Sequence, residues 1–464
     1  MSDQSDLEQF ASADSGSKRQ PAEHESEAPD PEEHGTARFP SLPTDWEIKR
    51  LDEVATVQGG STPSTDEDEY WGGDIPWATP TDLTELQGNT ISDTEDKITE
   101  VGLESTSTHV LPPYSVLLTS RASIGKCAVN TVPMATNQGF QSLIPGEEVN
   151  TWYLYYVITE MAPYLESLGA GSTFSEISKR EVQRVQIPVP PMEEQLRIAG
   201  ILYDTDQGIF NTQSMLDEQE VIRKEVVREV LTEGTREHQD FTEKQFGSIP
   251  SDWPVIRLGE VLTDSRYGTD EKSHSDGEGY PTLRIPNVVQ RRITEDDIKY
   301  TELSDSAVEK LALQEGDLLI VRTNGNPDYA GRCAVFEERD ETYVFASYLI
   351  RLRFDEDRVH PKYVREFLNS SLGRVEMNGW IRTSAGNYNL SIGGIEKIEI
   401  PLPPLAEQRE IVDIVETLDE NQESTREYKN RISNLKEGIS RRLVSGDVRI
   451  HNEVDIPDEV RVDV

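Results

Sequence analysis

The feature that most constrains the fold is a long internal repeat. IPVPPMEEQLRI begins at Ile187 and IPLPPLAEQREI at Ile400. FPSLPTDWEIKRL at Phe39 returns as FGSIPSDWPVIRL at Phe246, which sets Trp46 and Trp253 207 positions apart. Gln195 and Gln408 are 213 apart, and Gly125-Lys-Cys-Ala-Val matches Gly331-Arg-Cys-Ala-Val at an offset of 206. Such repetition means one supersecondary plan used twice. The 464 residues are therefore read as two copies of one unit, each large enough for its own core.

Both copies have the same internal order. A Pro-Ser/Thr-Asp-Trp opening leads to Leu51-Asp-Glu-Val or Leu258-Gly-Glu-Val, then to short apolar runs such as VLLTS at Val116 and DLLIVR at Asp317. Apolar runs of this length bounded by Gly and Pro predict buried strands. TWYLYYVITEM at Thr151 and PKYVREFLNSSL at Pro361 predict helices, so each unit is a mixed α+β domain of roughly 150 residues. Trp46 and Trp253 are expected to anchor each opening to its core.

Past each Pro-Pro pair the texture changes. Proline suits a helix start and glycine its exit, and the stretches from Met192 and from Leu405 lack internal proline until about Gly234 and Gly446. Ile411, Ile414, Leu418, Asn421, Thr425, Tyr428, Ile432, Leu435 and Ile439 follow a heptad, and Ile198, Ile201, Thr205, Thr212, Met215, Ile222 and Val226 follow it more loosely. Each helix of about 40 residues is roughly 60 Å long. An apolar stripe must be buried, so the two helices are expected to pair antiparallel as a coiled-coil spacer with pseudo-twofold symmetry. Two independent helices, each on its own domain, are the alternative.

The resulting organisation is a disordered acidic tail at 1–38, a first domain at 39–191 and a central helix at 192–235. A second domain at 236–404, a distal helix at 405–446 and a C-terminal tail at 447–464 follow. Residues 1–38 are rich in Ser, Glu, Asp and Pro, a composition that does not offset the entropy of ordering. Two readers held apart by a spacer suit a ligand with two spaced sites, as in duplex DNA.

Formal net charge is −42, from 87 acidic and 45 basic residues spread along the chain. Self-repulsion of this size is tolerable where salt screens it, which points to a halophilic cytoplasm. Two cysteines, Cys127 and Cys333, exclude a disulfide framework and suit a reducing compartment. No apolar run approaches the roughly 20 residues of a membrane span.

Catalytic signatures are poor. Asn326-Pro-Asp-Tyr329 is similar to the Asn-Pro-Pro-Tyr motif of amino-methyltransferases, but its third residue is Asp and no Gly-rich cofactor loop accompanies it. Ser120-Arg-Ala-Ser-Ile-Gly-Lys126 lacks the first glycine and the hydroxyl of a phosphate-cradling loop. The seven histidines have no metal-site spacing.

The opening P-x-D-W phrase, GDIPWATPTDL at Gly73, RTNGNPDYAGRCAVF at Arg322, the paired IPxPPxxEQ phrases and VSGDVRI at Val444 resemble the specificity subunits of type I restriction-modification systems. The resemblance runs from Phe39 to about Ile450. It implies that each domain reads one half of a bipartite, non-palindromic DNA sequence. It also implies that the helices set the gap and dock two DNA adenine methyltransferase subunits, with translocase-nuclease subunits joining them. The subunit itself is then no enzyme and holds no cofactor: S-adenosylmethionine, ATP and magnesium belong to its partners. Duplex binders usually present a basic surface, so this acidic chain must gather its basic residues on one face or rely on salt screening. A self-contained methyltransferase or nuclease and a protein-binding adaptor are the alternatives.

DNA contacts are expected from loop residues, since Arg reads guanine, Asn or Gln reads adenine, and phosphates take Lys, Ser and Thr. In the first domain these are Thr79, Thr81, Arg121, Ser123, Lys126, Asn137, Gln138, Ser172 and Thr173. In the second they are Arg284, Asn287, Arg322, Asn324, Asn326, Arg332, Ser384 and Asn387. Arg121 aligns with Arg322, which suits phosphate positioning. Thr79 aligns with Arg284 and Asp82 with Asn287, the kind of difference that unlike targets require. Gln195 and Gln408 are candidate contacts to the methyltransferase, or else helix-start residues that satisfy free backbone groups.

Overall fold

The computed structural model describes residues 39, 42–170, 176–384, 386–450 and 454–461. The expected disordered tail at 1–38 lies outside them. The chain divides into two compact units, one formed by residues up to 210 with those from 432 onward, the other by residues 211–431. Each unit thus holds a mixed domain, the first part of the helix leaving it and the last part of the other long helix.

In unit 1 the opening strand Glu47–Arg50 pairs antiparallel with the closing strand Gln186–Val189, setting Ile48 against Pro188. In unit 2 Val255–Arg257 pairs likewise with Glu399–Pro401, setting Ile256 against Ile400. The two repeated phrases are therefore zipped together, so the chain arrives at and leaves each domain at one place.

The principal sheets share one order over their first four strands, and unit 1 adds a fifth. In unit 1 the order is Ala55–Gly59, Gln141–Pro145, Val116–Leu118, Cys127–Asn130, Thr90–Ile91; in unit 2 it is Leu262–Tyr267, Leu349–Phe354, Leu318–Val321, Cys333–Val335. One helix lies against each sheet, Thr151–Glu160 or Pro361–Asn369. Residues 151–158 are all buried in the first, and residues 363–368 in the second, so each helix is covered on more than its sheet-facing side. Tyr153 Oη donates to Pro188 O and Tyr363 Oη to Pro401 O, each at 2.9 Å, which ties each helix to the closing strand.

The central helix spans Met192–Thr232 and the distal helix Leu405–Val444. In unit 2, Gln213 meets Lys429, Gln219 meets Thr425 and Arg223 meets Asp419, so one number rises as the other falls and the segments run antiparallel. In unit 1, Asp206 pairs with Lys436 at 2.5 Å. Asp206 and Asp419 are the same repeat position, as are Arg223 and Lys436, so each unit locks its helices with an equivalent ion pair.

The expected heptad describes only part of the seam. Ile198, Leu202, Leu443 and Val444 are buried in unit 1, and Val227, Leu231, Ile411, Val412 and Val415 in unit 2. Met215, Ile222, Ile414, Tyr428 and Leu435 are exposed instead, while Asp206, Arg223 and Gln422, outside the heptad, are buried. Each helix end packs on a domain as well as on the other helix, so two neighbours, not one seven-residue stripe, choose its buried face.

A four-residue clasp closes each junction. Trp46 Nε1 donates to Glu194 at 3.0 Å, and Arg449 grips both Glu194 (2.6 Å) and Asp45 (2.8 Å). In unit 2 His238 stands where Arg449 does, with its ring nitrogens 3.2 Å from Glu407 and 3.0 Å from Asp252, and edge-on to Trp253. Beyond Arg449, Val460 is buried in the unit 1 core, where Asn150 and Trp152 donate to the carbonyls of Val460 and Glu459. Among the described residues no helix is long and apolar enough to cross a membrane.

Candidate nucleic-acid interface

In unit 2 the strand Leu318–Val321 runs out through Arg322 into Thr323–Asn324, which pairs with Asn387–Asn389; that strand hairpins with Arg382–Ser384. Arg322, Asn324, Asn326, Ser384 and Asn387 are thereby gathered on one small sheet and the loop leaving it. The Arg322 guanidinium lies 4.7 Å from the Tyr267 ring centroid, and its Nη1 donates to Ser347 O at 3.4 Å. Arg332 Nε donates to Asp328 O at 3.0 Å at the far end of the same loop.

Charge around this loop runs against the chain's overall balance. Arg322, Arg332, Arg374 and Arg382 form no ion pair among the described residues; backbone carbonyls and a ring hold them. Four guanidiniums without carboxylates, in a chain of net charge −42, form a local basic patch. Tyr267, Tyr329, Tyr348, Arg374 and Arg382 join this surface without any mark in the sequence. Three of these are exposed tyrosines, and no periodicity marks an aromatic as exposed.

The other two arginine candidates are paired. Arg284 meets Asp297 at 2.9 Å and Arg121 meets Glu176 at 2.7 Å. Partly exposed pairs of this kind are worth at most about 1 kcal/mol, so a phosphate can displace the carboxylate.

In unit 1 the candidates surround the turn Pro80–Glu85. Lys126 Nζ donates to Thr84 O at 3.3 Å, and Asn137 N donates to Ala78 O at 3.0 Å. Gln138 is exposed and accepts from Thr62 Oγ1, and Thr81 is exposed on the turn. Ser123 is half-buried, and its carbonyl accepts from Thr119 Oγ1. Asn137 Oδ1 is used on Gly139 N at 2.8 Å. Ser172 and Thr173 lie outside the described residues.

Several candidates are committed to the fold. Thr79 N and Oγ1 both donate to Asp82 Oδ2, at 2.7 and 2.6 Å, capping the following turn. Asn287 does Asp82's work in unit 2, accepting from Arg284 N at 3.0 Å, and is fully buried with Nδ2 donating to Thr294 O and Asp296 O. A buried amide with these bonds made has nothing left for a base edge. The alignment of Arg121 with Arg322 is also off by one. Val116 faces Val129 as Leu318 faces Val335, so Ser120 is the partner of Arg322 and Arg121 that of Thr323.

Gln195 and Gln408 are buried, not displayed for docking. Gln195 Oε1 accepts from Asn150 N at 2.9 Å, and its Nε2 donates to Glu148 O and Pro190 O at 2.9 Å each. Gln408 repeats the pattern with His360 N (2.8 Å), Arg358 O (3.2 Å) and Pro403 O (2.8 Å). Each amide staples the start of a long helix to the loop before the domain's packing helix, which is the helix-start reading.

Among the described residues no cluster of His, Cys, Asp and Glu could hold a metal ion. Burial pushes the Cys333 thiol up to about 12 and the Cys127 thiol higher still, so neither is a ready nucleophile.

The profile of the family described as type I restriction modification DNA specificity domain matches residues 43–218 and again residues 250–434. The chain belongs to this family. Its two matches fall on the two copies of the repeat. The MjaIX type I restriction enzyme specificity subunit of Methanocaldococcus jannaschii is 36% identical over 260 residues, covering 54% of this chain and 59% of that relative. The EcoKI specificity subunit of Escherichia coli is 28% identical over 350 residues, covering 73% of this chain and 75% of the relative. The crystal structure of a type I restriction-modification S subunit from M. genitalium superposes with a TM-score of 0.53 at 14% identity, over 87% of this chain and 98% of that one. At that identity the likeness is one of fold.

Proposed function

We propose that this chain is the non-catalytic DNA-recognition subunit of a type I restriction-modification complex, each mixed domain reading one half of a bipartite target. The observation that carries the reading is a shared frame with unlike side chains. Matched backbone positions carry Ser120 or Arg322, and Arg121 or Thr323, while the loop that follows holds three residues in unit 1 and seven in unit 2. Equal frames with different donors and acceptors are what two different half-sequences require. The target-recognition domains are residues 39–191 and 236–404, and the helices at 192–235 and 405–446 space them.

Two adenine methyltransferase subunits dock on the helices, with restriction subunits joining, and S-adenosylmethionine, ATP and magnesium reside in those partners. Supporting this are exposed apolar residues at matched repeat positions: Met215 with Tyr428, and Ile222 with Leu435, each 213 apart. Large exposed apolar side chains at equivalent places suit a partner present twice. The complex works in the cytoplasm, and the acidity of this subunit suits a salt-rich one.

The test is to co-purify the chain with the methyltransferase and map methylated adenines in host DNA. A two-part, non-palindromic sequence is expected. A palindromic or single-part sequence, or methyl transfer by the chain alone, would contradict the reading.

A further inference from the structure

The loop between Thr323 and Gly331 is unit 2's own addition to the common frame, and its tip, Gly325–Tyr329, is exposed. Its curvature is set from inside by two successive side-chain turns. Asn324 Oδ1 accepts from Asn326 N at 2.8 Å, and Asn326 Oδ1 accepts from Asp328 N at 2.9 Å. From beneath, the guanidinium of Arg374, on the helix Ser371–Asn378, donates through Nη2 to Pro327 O at 2.9 Å and through Nη1 to Ala330 O. One planar fork thus bridges two carbonyls three residues apart, a geometry that lysine cannot reproduce.

The loop's exit is pressed on the same helix. Gly331 has φ +86°, and a Cβ there would lie 2.8 Å from Met377 Sδ and 3.1 Å from Arg374 Nη1. Arg374 is half-buried, and among the described residues it has no carboxylate partner. Burial and the neighbouring Arg332 hold its pKa below the ordinary arginine value, against the opposing pull of Asp328. Keeping a partly desolvated cation with no direct ion pair under an exposed loop makes sense where the loop's shape matters more than local stability.

We propose that Arg374 is a positioning residue for specificity: it holds the loop Asn324–Ala330 in one conformation, so that the base preference of unit 2 depends on a side chain that touches no base. This rests on the reading of the chain as a DNA-recognition subunit.

The experiment uses the full chain assembled with its methyltransferase, with methylated adenines mapped genome-wide for Arg374→Lys and Arg374→Ala. Both variants should lose discrimination about tenfold or more at base positions in one half of the target while the other half stays intact, as expected when a reading contact worth about 1–3 kcal/mol is misplaced. The salt dependence of DNA binding should be unchanged. Equal loss at both halves would overturn the proposal, as would intact specificity with a salt slope reduced by about one phosphate contact.

In a loop-exchange variant, Ala-Ser-Ile, the shorter loop of unit 1, replaces residues 324–330. In that background Arg374→Ala should have no further effect on specificity, and a remaining effect would mean that the residue acts elsewhere. Arg322→Ala with Asn387→Ala separates the two levels. If that pair alters one half-sequence and Arg374→Lys does not, positioning fails alone; if neither changes the sequence, base reading by this surface fails as well.

Discussion

Replacing Gln408 by alanine tests the staple at the start of the distal helix. The side chain is fully buried, and its amide serves three main-chain groups: His360 N, Arg358 O and Pro403 O. Alanine leaves all three unpartnered at a site closed to bulk water. Each orphaned buried group costs about 1–3 kcal/mol, so a loss of about 3 kcal/mol is expected at the lower end. For a unit of roughly 200 residues, this lowers the unfolding temperature by about 6–12 °C. Because two units need not unfold together, calorimetry should follow the transitions separately. Gln408→Ala should lower the transition of unit 2, and Gln195→Ala that of unit 1, since Gln195 makes the equivalent bonds to Asn150, Glu148 and Pro190. Below those temperatures both variants should still co-purify with the methyltransferase. Unchanged unfolding together with lost methyltransferase binding would refute the staple and restore the docking role.

Other consequences are separable. Arg223→Ala should destabilise unit 2 by about 3–5 kcal/mol in chemical unfolding, because it strips Glu366 and Asp419 of a buried partner; a loss below about 1 kcal/mol would mean that Arg365 alone neutralises Glu366. Burial raises the Glu376 pKa above the ordinary carboxylate value, so its contribution is harmless below the unfolded pKa and turns destabilising as pH rises through the folded one. Glu376→Gln should therefore stabilise at neutral pH and have little effect near pH 4, and the opposite trend would contradict the sign. With a net charge of −42, the wild-type unfolding temperature should climb between 0.1 and 2 M KCl as the screening length falls from about 10 Å to below about 3 Å, and a fall would count against the salt-adapted reading. Met215→Asp with Tyr428→Asp should abolish methyltransferase co-purification and leave the unfolding temperature unchanged; retained binding would place the dock elsewhere.

The basic patch around the unit 2 loop bears on how an acidic chain can approach DNA. Arg322, Arg332 and Arg382 are held by carbonyls and a ring, while arginines elsewhere, such as Arg223, Arg351 and Arg449, are tied to carboxylates. Phosphate neutralisation needs available cations at the contact, not an overall positive charge.

By itself the sequence determined the repeated plan: two mixed domains, each opening at a Pro-x-Asp-Trp phrase and handing over to a helix of about 40 residues after Pro-Pro. Those features are local, set by periodicity, by proline's missing N–H and by turn residues, and each is written twice. Residue type and loop position also single out Arg322, Asn324, Asn326, Ser384 and Asn387, although nothing in chain order says that their strands meet. Tertiary structure alone decided what each polar side chain has left to offer. Asn287, Gln195 and Gln408 look like surface amides in a string of letters, and distant backbone groups claim them in the fold. Strand register, not phrase alignment, matched Ser120 to Arg322, and packing against two neighbours turned Met215 and Tyr428 out of the helix seam. A hydrogen bond or a buried face depends on both of its partners, and in these cases the second partner lies far away along the chain.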